Sequence, residues 1–168
     1  MKGGNVEVIC GSGIGKTSLA IGKGIAALTR QKKVIMIQFL KGSQNQVGLD
    51  ILEVLEPRLK VFRFEKADTY FENLSPEEKQ EELINIRNGF NFARKVVTTG
   101  ECDLLILDEV LGVLERNIVT VEEFEKLIGG KEDYMGLILT GKVFPKQLRS
   151  YVDAISTIEY VEVDKERQ

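Results

Sequence analysis

The sequence predicts an α/β protein, a three-layer sandwich around a mainly parallel sheet of about six strands. Three observations carry that prediction. Short unbroken apolar runs such as Val34-Ile35-Met36-Ile37 and Leu104-Leu105-Ile106-Leu107 lack the alternation of a half-solvated strand. They suit strands covered on both faces. Stretches of helical period alternate with these runs, which implies right-handed crossovers between parallel strands. Glycine-rich and acidic residues stand directly after strands, at the edge where such sheets hold ligands.

Taken in order, Val6 to Cys10 reads as a buried strand, and Lys16 to Arg30 as the helix behind it. That helix carries Leu19, Ala20, Lys23, Ala26 and Ala27 on or near one face, and Gly22 and Gly24 allow close packing on the sheet. Val34 to Leu40 is a second strand, ended by Lys41-Gly42-Ser43. Val47 to Leu55 has helical period and stops before Pro57. Leu59 to Phe64 is the third strand, and Glu65 to Leu74 a polar surface loop with two adjacent aromatics, Tyr70 and Phe71. Ser75-Pro76-Glu77-Glu78 combines an N-cap serine, a proline at the first helical position and a glutamate three after the cap. Leu83, Ile86, Phe90, Ala93 and Val97 then form a core stripe, and Gly100 closes the helix. Asp103 to Glu109 is the fourth strand, ending in two acids, with a helix from Glu109 to Glu115. Thr120 to Glu123 is a second capping box, opening a helix that ends at Gly129-Gly130. Tyr134 to Thr140 is the fifth strand, Pro145 to Tyr151 a short helix, and Ala154 to Tyr160 the sixth strand.

A chain of 168 residues suits a single domain, 1–168, with one large core. A net charge of −3 gives no global basic field, so nucleic acid is not an expected partner. No apolar run is long enough to span a bilayer, and Met1-Lys2-Gly3-Gly4 does not start a signal peptide, so the expectation is a cytoplasmic protein without membrane attachment. Cys10 and Cys102 each border an apolar strand and read as buried, reduced thiols. The chain has no histidine. That excludes Ser-His-Asp chemistry, histidine bases and ordinary histidine-containing zinc sites.

The loop Cys10-Gly11-Ser12-Gly13-Ile14-Gly15-Lys16-Thr17-Ser18 joins the first strand to its helix. Three glycines at alternate positions allow a tight turn with N–H groups facing inward. Lys16 brings a point charge and Thr17 a hydroxyl to the first helical turn, which suits a triphosphate and magnesium. The Walker A pattern wants glycine where this chain has Cys10. An ordinary glycine turn capping a helix is the alternative. Asp108 and Glu109 follow an apolar run as in a Walker B strand, so Asp108 would hold magnesium opposite Thr17. Glu109 could orient a water, hold the metal's waters or meet substrate. Two acids opening a helix at its favourable dipole are the plainer reading. Together these motifs make the predicted fold P-loop NTPase-like, with ATP and Mg2+ as expected ligands.

The whole pattern resembles the P-loop family of ATP:corrinoid adenosyltransferases, from about Gly4 to Tyr160. The family's Thr-Gly-x-Gly-x-Gly-Lys-Thr-Thr corresponds to Cys10 through Ser18, its Gln-Phe-x-Lys-Gly to Gln38-Phe39-Leu40-Lys41-Gly42, and its Leu-Asp-Glu to Leu107-Asp108-Glu109. Its Thr-Gly-Arg-x-x-Pro-x-x-Leu corresponds to Thr140 through Leu148. The resemblance implies attack of cob(I)alamin cobalt on the 5′ carbon of ATP, with release of triphosphate. It implies a corrinoid as second substrate, auxiliary phosphate contacts from Lys41 and Lys142, packing of Tyr70 and Phe71 on the corrin, and a homodimer. The metal centre is the nucleophile, so a chain without histidine loses nothing. The chain departs from the family at Lys142 (Arg in the family), Leu111 (Asn) and Thr157 (Glu), and it has no tryptophan for the corrin-facing loop. Two alternatives stand beside this reading: a P-loop NTPase or kinase cleaving at the γ-phosphate, and a non-catalytic ATP-binding paralogue.

Overall fold

A computed structural model describes residues 3–40, 50–64 and 69–164. Among them, six strands form one sheet: β1 (Val6–Cys10), β2 (Val34–Gln38), β3 (Leu59–Arg63), β4 (Leu104–Asp108), β5 (Gly136–Thr140) and β6 (Ala154–Thr157). Their order is β3-β2-β4-β5-β1-β6, and every pairing is parallel. The helices are α1 (Lys16–Thr29), α2 (Asp50–Glu53), α3 (Pro76–Thr99), α4 (Val110–Glu115) and α5 (Val121–Gly129), with 3-10 turns at Phe71–Asn73 and Lys146–Tyr151.

The unbroken apolar runs divide between two cores because alternate residues face opposite sides of the sheet. Ile35, Ile37, Leu105, Leu107, Leu137 and Leu139 pack with Ile86, Phe90, Ala93 and Val97 of α3 and Phe124 of α5. Val34, Met36, Ile106 and Ile138 pack with Ala20, Ala27 and Leu28 of α1 and Leu52 of α2. These two layers over one sheet are the expected sandwich. Both capping boxes form: Ser75 Oγ accepts from Glu78 N at 3.2 Å, and Thr120 Oγ1 from Glu123 N at 3.2 Å. Each such cap stabilises its helix by about 1 kcal/mol. Arg87 of α3 donates to both carboxylate oxygens of Glu123 and to the Ile118 carbonyl, so the second cap also ties α3 to α5.

The structure revises several sequence expectations. On α1 the buried face is Lys16, Ala20, Gly24, Ala27 and Leu28, while Leu19 and Ala26 are exposed and Lys23 pairs with Glu7 at 2.7 Å. Gly24 is the close-approach residue, since a Cβ there would meet Ile106 Cδ1 at 3.1 Å, whereas Gly22 faces open space. The sixth strand ends at Thr157 rather than Tyr160, because the chain beyond it turns to run along the glycine loop: Ile158 O accepts from Gly13 N. The third strand ends one residue early, at Arg63. The expected helix from Val47 lies partly outside the described residues, as do Lys41 and the first part of the 65–74 loop. Cys10 and Cys102 are both buried and free, and burial pushes the Cys102 thiol up to about 12.

Candidate nucleotide site

The carboxyl ends of β1 and β4 lie on either side of β5, and the segments after all three converge at one edge of the sheet. They border a cleft of about 830 Å³ lined by Ser12 through Ser18, Leu40, Tyr70 to Glu72, Glu109, Gly112, Glu115, Arg116 and Lys142. The glycine loop forms one wall. Its turn requires left-handed backbone at Gly11 (φ 118°) and Gly15 (φ 103°), where a side chain would be strained. Lys16 is buried, and its ammonium donates to the carbonyls of Gly11 at 2.8 Å and Gly13 at 2.6 Å. The charge therefore sits inside the loop.

Two expected phosphate-binding amides are engaged elsewhere. Gly11 N donates to Lys142 O at 3.0 Å, and Gly13 N to Ile158 O at 3.1 Å. Gly11 is accordingly a brace rather than a wall of the cleft. The N–H groups of a helix's first turn have no acceptor within the helix, so the start of α1 at Lys16 is where the loop's backbone suits an anionic ligand. Gly15 is the N-cap and supplies no side-chain cap there.

Opposite the loop, the Asp108 carboxylate is fully buried. It accepts from Thr17 Oγ1 at 3.0 and 3.1 Å, from Thr140 Oγ1 at 2.7 Å and from Gln38 Nε2 at 3.1 Å. Thr17 and Asp108, 91 positions apart, are thus brought into contact at the cleft. A hydroxyl and a carboxylate are hard oxygen donors. Magnesium takes one or two protein ligands beside phosphate oxygens and water, so the pair fits this ion. Among the described residues no cluster of three or more acidic, cysteine or histidine side chains offers a metal cage, which this mode of binding does not need.

Glu109 caps α4 in a left-handed conformation (φ 62°), its N–H donating to Thr140 Oγ1 at 2.8 Å, and it borders the cleft. Leu40, which also borders the cleft beside Gly112, is left-handed too (φ 56°). Such non-glycine conformations cost about 1–2 kcal/mol each and concentrate at functional sites. Lys142 is exposed at the cleft, Leu111 is buried against Gly141, and Thr157 lies on the edge strand with its hydroxyl 3.8 Å from Cys10 Sγ. Tyr70 is half exposed, and Phe71 packs partly on the core.

Sequence reasoning missed Gln38, Thr140, Glu72 and Arg116. Glu72 and Arg116 form an ion pair across the cleft wall, and the guanidinium also donates to the Gly112 carbonyl at 3.2 Å. Its hydrogen bond holds the Glu72 carboxyl below the usual carboxylate range. Gln38 and Thr140 did carry a signal: each is a polar residue closing an otherwise apolar strand.

A family model described as ATP:corrinoid adenosyltransferase BtuR/CobO/CobP matches residues 2–167. The chain is 23% identical over 158 residues to a corrinoid adenosyltransferase of Escherichia coli (strain K12), covering 94% of this chain and 78% of that protein. It is 22% identical over 158 residues to the corrinoid adenosyltransferase CobA of Salmonella typhimurium, with the same coverage of 94% and 78%. An uncharacterized protein of Nostoc sp. is 25% identical over 176 aligned positions, covering 93% of this chain and 44% of that protein.

Proposed function

The chain belongs to the BtuR/CobO/CobP family of ATP:corrinoid adenosyltransferases, a family of transferases, and on that premise we propose how its cleft serves the reaction. The 5′-deoxyadenosyl group of ATP passes to the cobalt of a reduced corrinoid, and triphosphate leaves. The observation that carries this reading is the contact of Thr17 with Asp108 beside the Lys16 ammonium, at the head of a cleft large enough for a nucleotide.

The cobalt electron pair forms the bond to the 5′ carbon, and the C5′–O pair departs with the triphosphate. The protein's work is therefore electrostatic. Lys16 and the first-turn amides of α1 face the phosphates, where negative charge accumulates as that bond breaks. Preorganised donors of this kind contribute about 3–4 kcal/mol apiece when removed singly. Thr17 and Asp108 would hold Mg2+, which supplies further neutralisation of phosphate oxygens when bound. Glu109, on the cleft wall, is placed to hold that ion's waters or a substrate group. Lys142 is an auxiliary phosphate contact, as is Lys41 on sequence grounds. Tyr70 and Phe71 offer their rings to the corrin. Ser12, Ile14, Gly15 and Ser18 shape the wall around the phosphates. A homodimer and a cytoplasmic location complete the proposal.

The test is anaerobic incubation with MgATP and reduced cobalamin, followed by visible spectroscopy, with phosphorus NMR of the products. A cobalt–carbon spectrum with intact triphosphate is expected. ADP with inorganic phosphate would replace this reading with γ-phosphate cleavage, and tight MgATP binding without turnover would replace it with a binding paralogue. Lys16→Ala removes a charge-assisted donor and is expected to weaken MgATP binding at least tenfold in calorimetry. Unchanged affinity would remove the phosphate seat from the mechanism.

A further inference from the structure

Gln38 lies beside Arg63 in the β2–β3 register and beside Asp108 in the β2–β4 register. Three polar residues therefore stand in one row across the carboxyl ends of β3, β2 and β4. Side chains at one level of a parallel sheet share a face. The row shares its face with Met36 and Ile106, which pack against α1, so it faces the helix whose first turn carries Thr17.

Hydrogen bonds run along this row in one direction. Arg63 Nε donates to Gln38 Oε1 at 3.0 Å, and Gln38 Nε2 donates to Asp108 Oδ2 at 3.1 Å. A side-chain amide has two orientations that exchange its oxygen and nitrogen. In the observed one the NH2 meets the carboxylate. In the other, Oε1 would oppose Asp108 Oδ2, acceptor against acceptor. Gln38 is buried, so water cannot repair that mismatch. A guanidinium has donors and no acceptor, so it accepts only the oxygen end of the amide. Arg63 itself does not line the cleft.

We propose that Arg63 is a positioning residue: by fixing the Gln38 amide it orients the Asp108 carboxylate toward the metal that accompanies the nucleotide. The proposal rests on the MgATP reading above. Removing partners that orient a metal-binding group lowers metal affinity by about 10–100-fold. The probe is Mn2+, titrated into ATP-bound protein and followed by electron paramagnetic resonance, with ATP binding in EDTA measured by calorimetry.

Arg63→Leu is expected to weaken Mn2+ binding about tenfold while leaving metal-free ATP affinity close to wild type, with a modest fall in unfolding midpoint from the Gln38 oxygen that loses its donor. Because Arg63 acts through Gln38, the double variant Arg63→Leu/Gln38→Met should bind Mn2+ no more weakly than Gln38→Met alone. Unchanged Mn2+ affinity in Arg63→Leu overturns the proposal. So does an equal loss of metal-free ATP binding, which marks a structural role, or additive losses in the double variant. Wild-type protein that binds ATP without any metal dependence overturns the metal site and this proposal together. Wild type that shows the dependence beside indifferent variants overturns this proposal alone.

Discussion

Replacing Thr140 by valine tests whether the buried carboxylate at the cleft is held by the hydroxyls around it. Thr140 is fully buried, and its hydroxyl does two things: it donates to Asp108 Oδ1 at 2.7 Å and accepts from Glu109 N at 2.8 Å. Valine keeps the shape and removes both bonds. A hydrogen bond to a charged group is worth about 1.5–3 kcal/mol, and a buried N–H that loses its acceptor costs about 1–3 kcal/mol. Burial of one additional methyl returns about 0.8 kcal/mol. The expected net loss is about 3 kcal/mol, or roughly 6–12 °C in unfolding midpoint for a chain of this size. Thr140→Ser is the control: it keeps the hydroxyl and loses one methyl, at about 1 kcal/mol. Urea denaturation of both variants with a common slope decides the matter. If Thr140→Val is no less stable than Thr140→Ser, the hydroxyl bridge contributes nothing and the account of Asp108 is wrong.

Four further outcomes follow from the geometry. Gly13→Ala puts a Cβ at 2.9 Å from Ile158 O and Cγ2, so it should cost about 1–3 kcal/mol and lower ATP affinity. Gly22→Ala, in open space within the exposed face of α1, should instead stabilise by about 0.5–1 kcal/mol; matched denaturation curves would contradict both. Glu72 has its folded pKa depressed by Arg116, so the pair's contribution is present above the ordinary carboxylate range and is lost as pH falls through the folded value. The pair is well exposed, so it is worth under about 1 kcal/mol. Arg116→Gln should raise the Glu72 titration midpoint in NMR, and a midpoint that stays put would break the link. Cys102, pushed up to about 12, is roughly one part in ten thousand thiolate at pH 8, so native protein should label no faster at this thiol than it unfolds.

How much of this was legible in the sequence depends on the range of the interaction. The capping boxes at Ser75 and Thr120 were readable because two residues only three positions apart specify each, and both formed. The stripe on α3 was readable because period and core largely coincide: Ile86, Phe90, Ala93 and Val97 are buried, while Leu83, at its start, is only half-buried. The meeting of Thr17 with Asp108 followed from two motifs and one rule about the carboxyl edge of parallel sheets. Arg63 was invisible because its effect passes through Gln38, and that requires strand order. The Glu72–Arg116 pair spans 44 positions with no local pattern to mark it. The end of β6 was misjudged because the apolar character of Ile158 continues past Thr157, while its backbone has left the sheet to brace the loop.

That brace explains why the phosphate seat needs its glycines. Sheet order places β1 between β5 and β6, and both neighbours continue past the strand end to hold the loop that follows it. Lys142 O takes the Gly11 amide; Ile158 O takes the Gly13 amide, and Ile158 N returns a bond to Cys10 O. A Cβ on Gly11 would fall 2.3 Å from Ile158 O, so close approach excludes a side chain there as firmly as the positive φ does. With those amides turned outward, the carbonyls of Gly11 and Gly13 turn inward onto the Lys16 ammonium. Under the nucleotide reading, binding then exchanges two neutral carbonyl acceptors for anionic phosphate oxygens, whose bonds to an ammonium are roughly twice as strong. On that reading the loop would hold its cation in waiting where the phosphates arrive, and the gain in affinity would come from the difference between the two sets of acceptors.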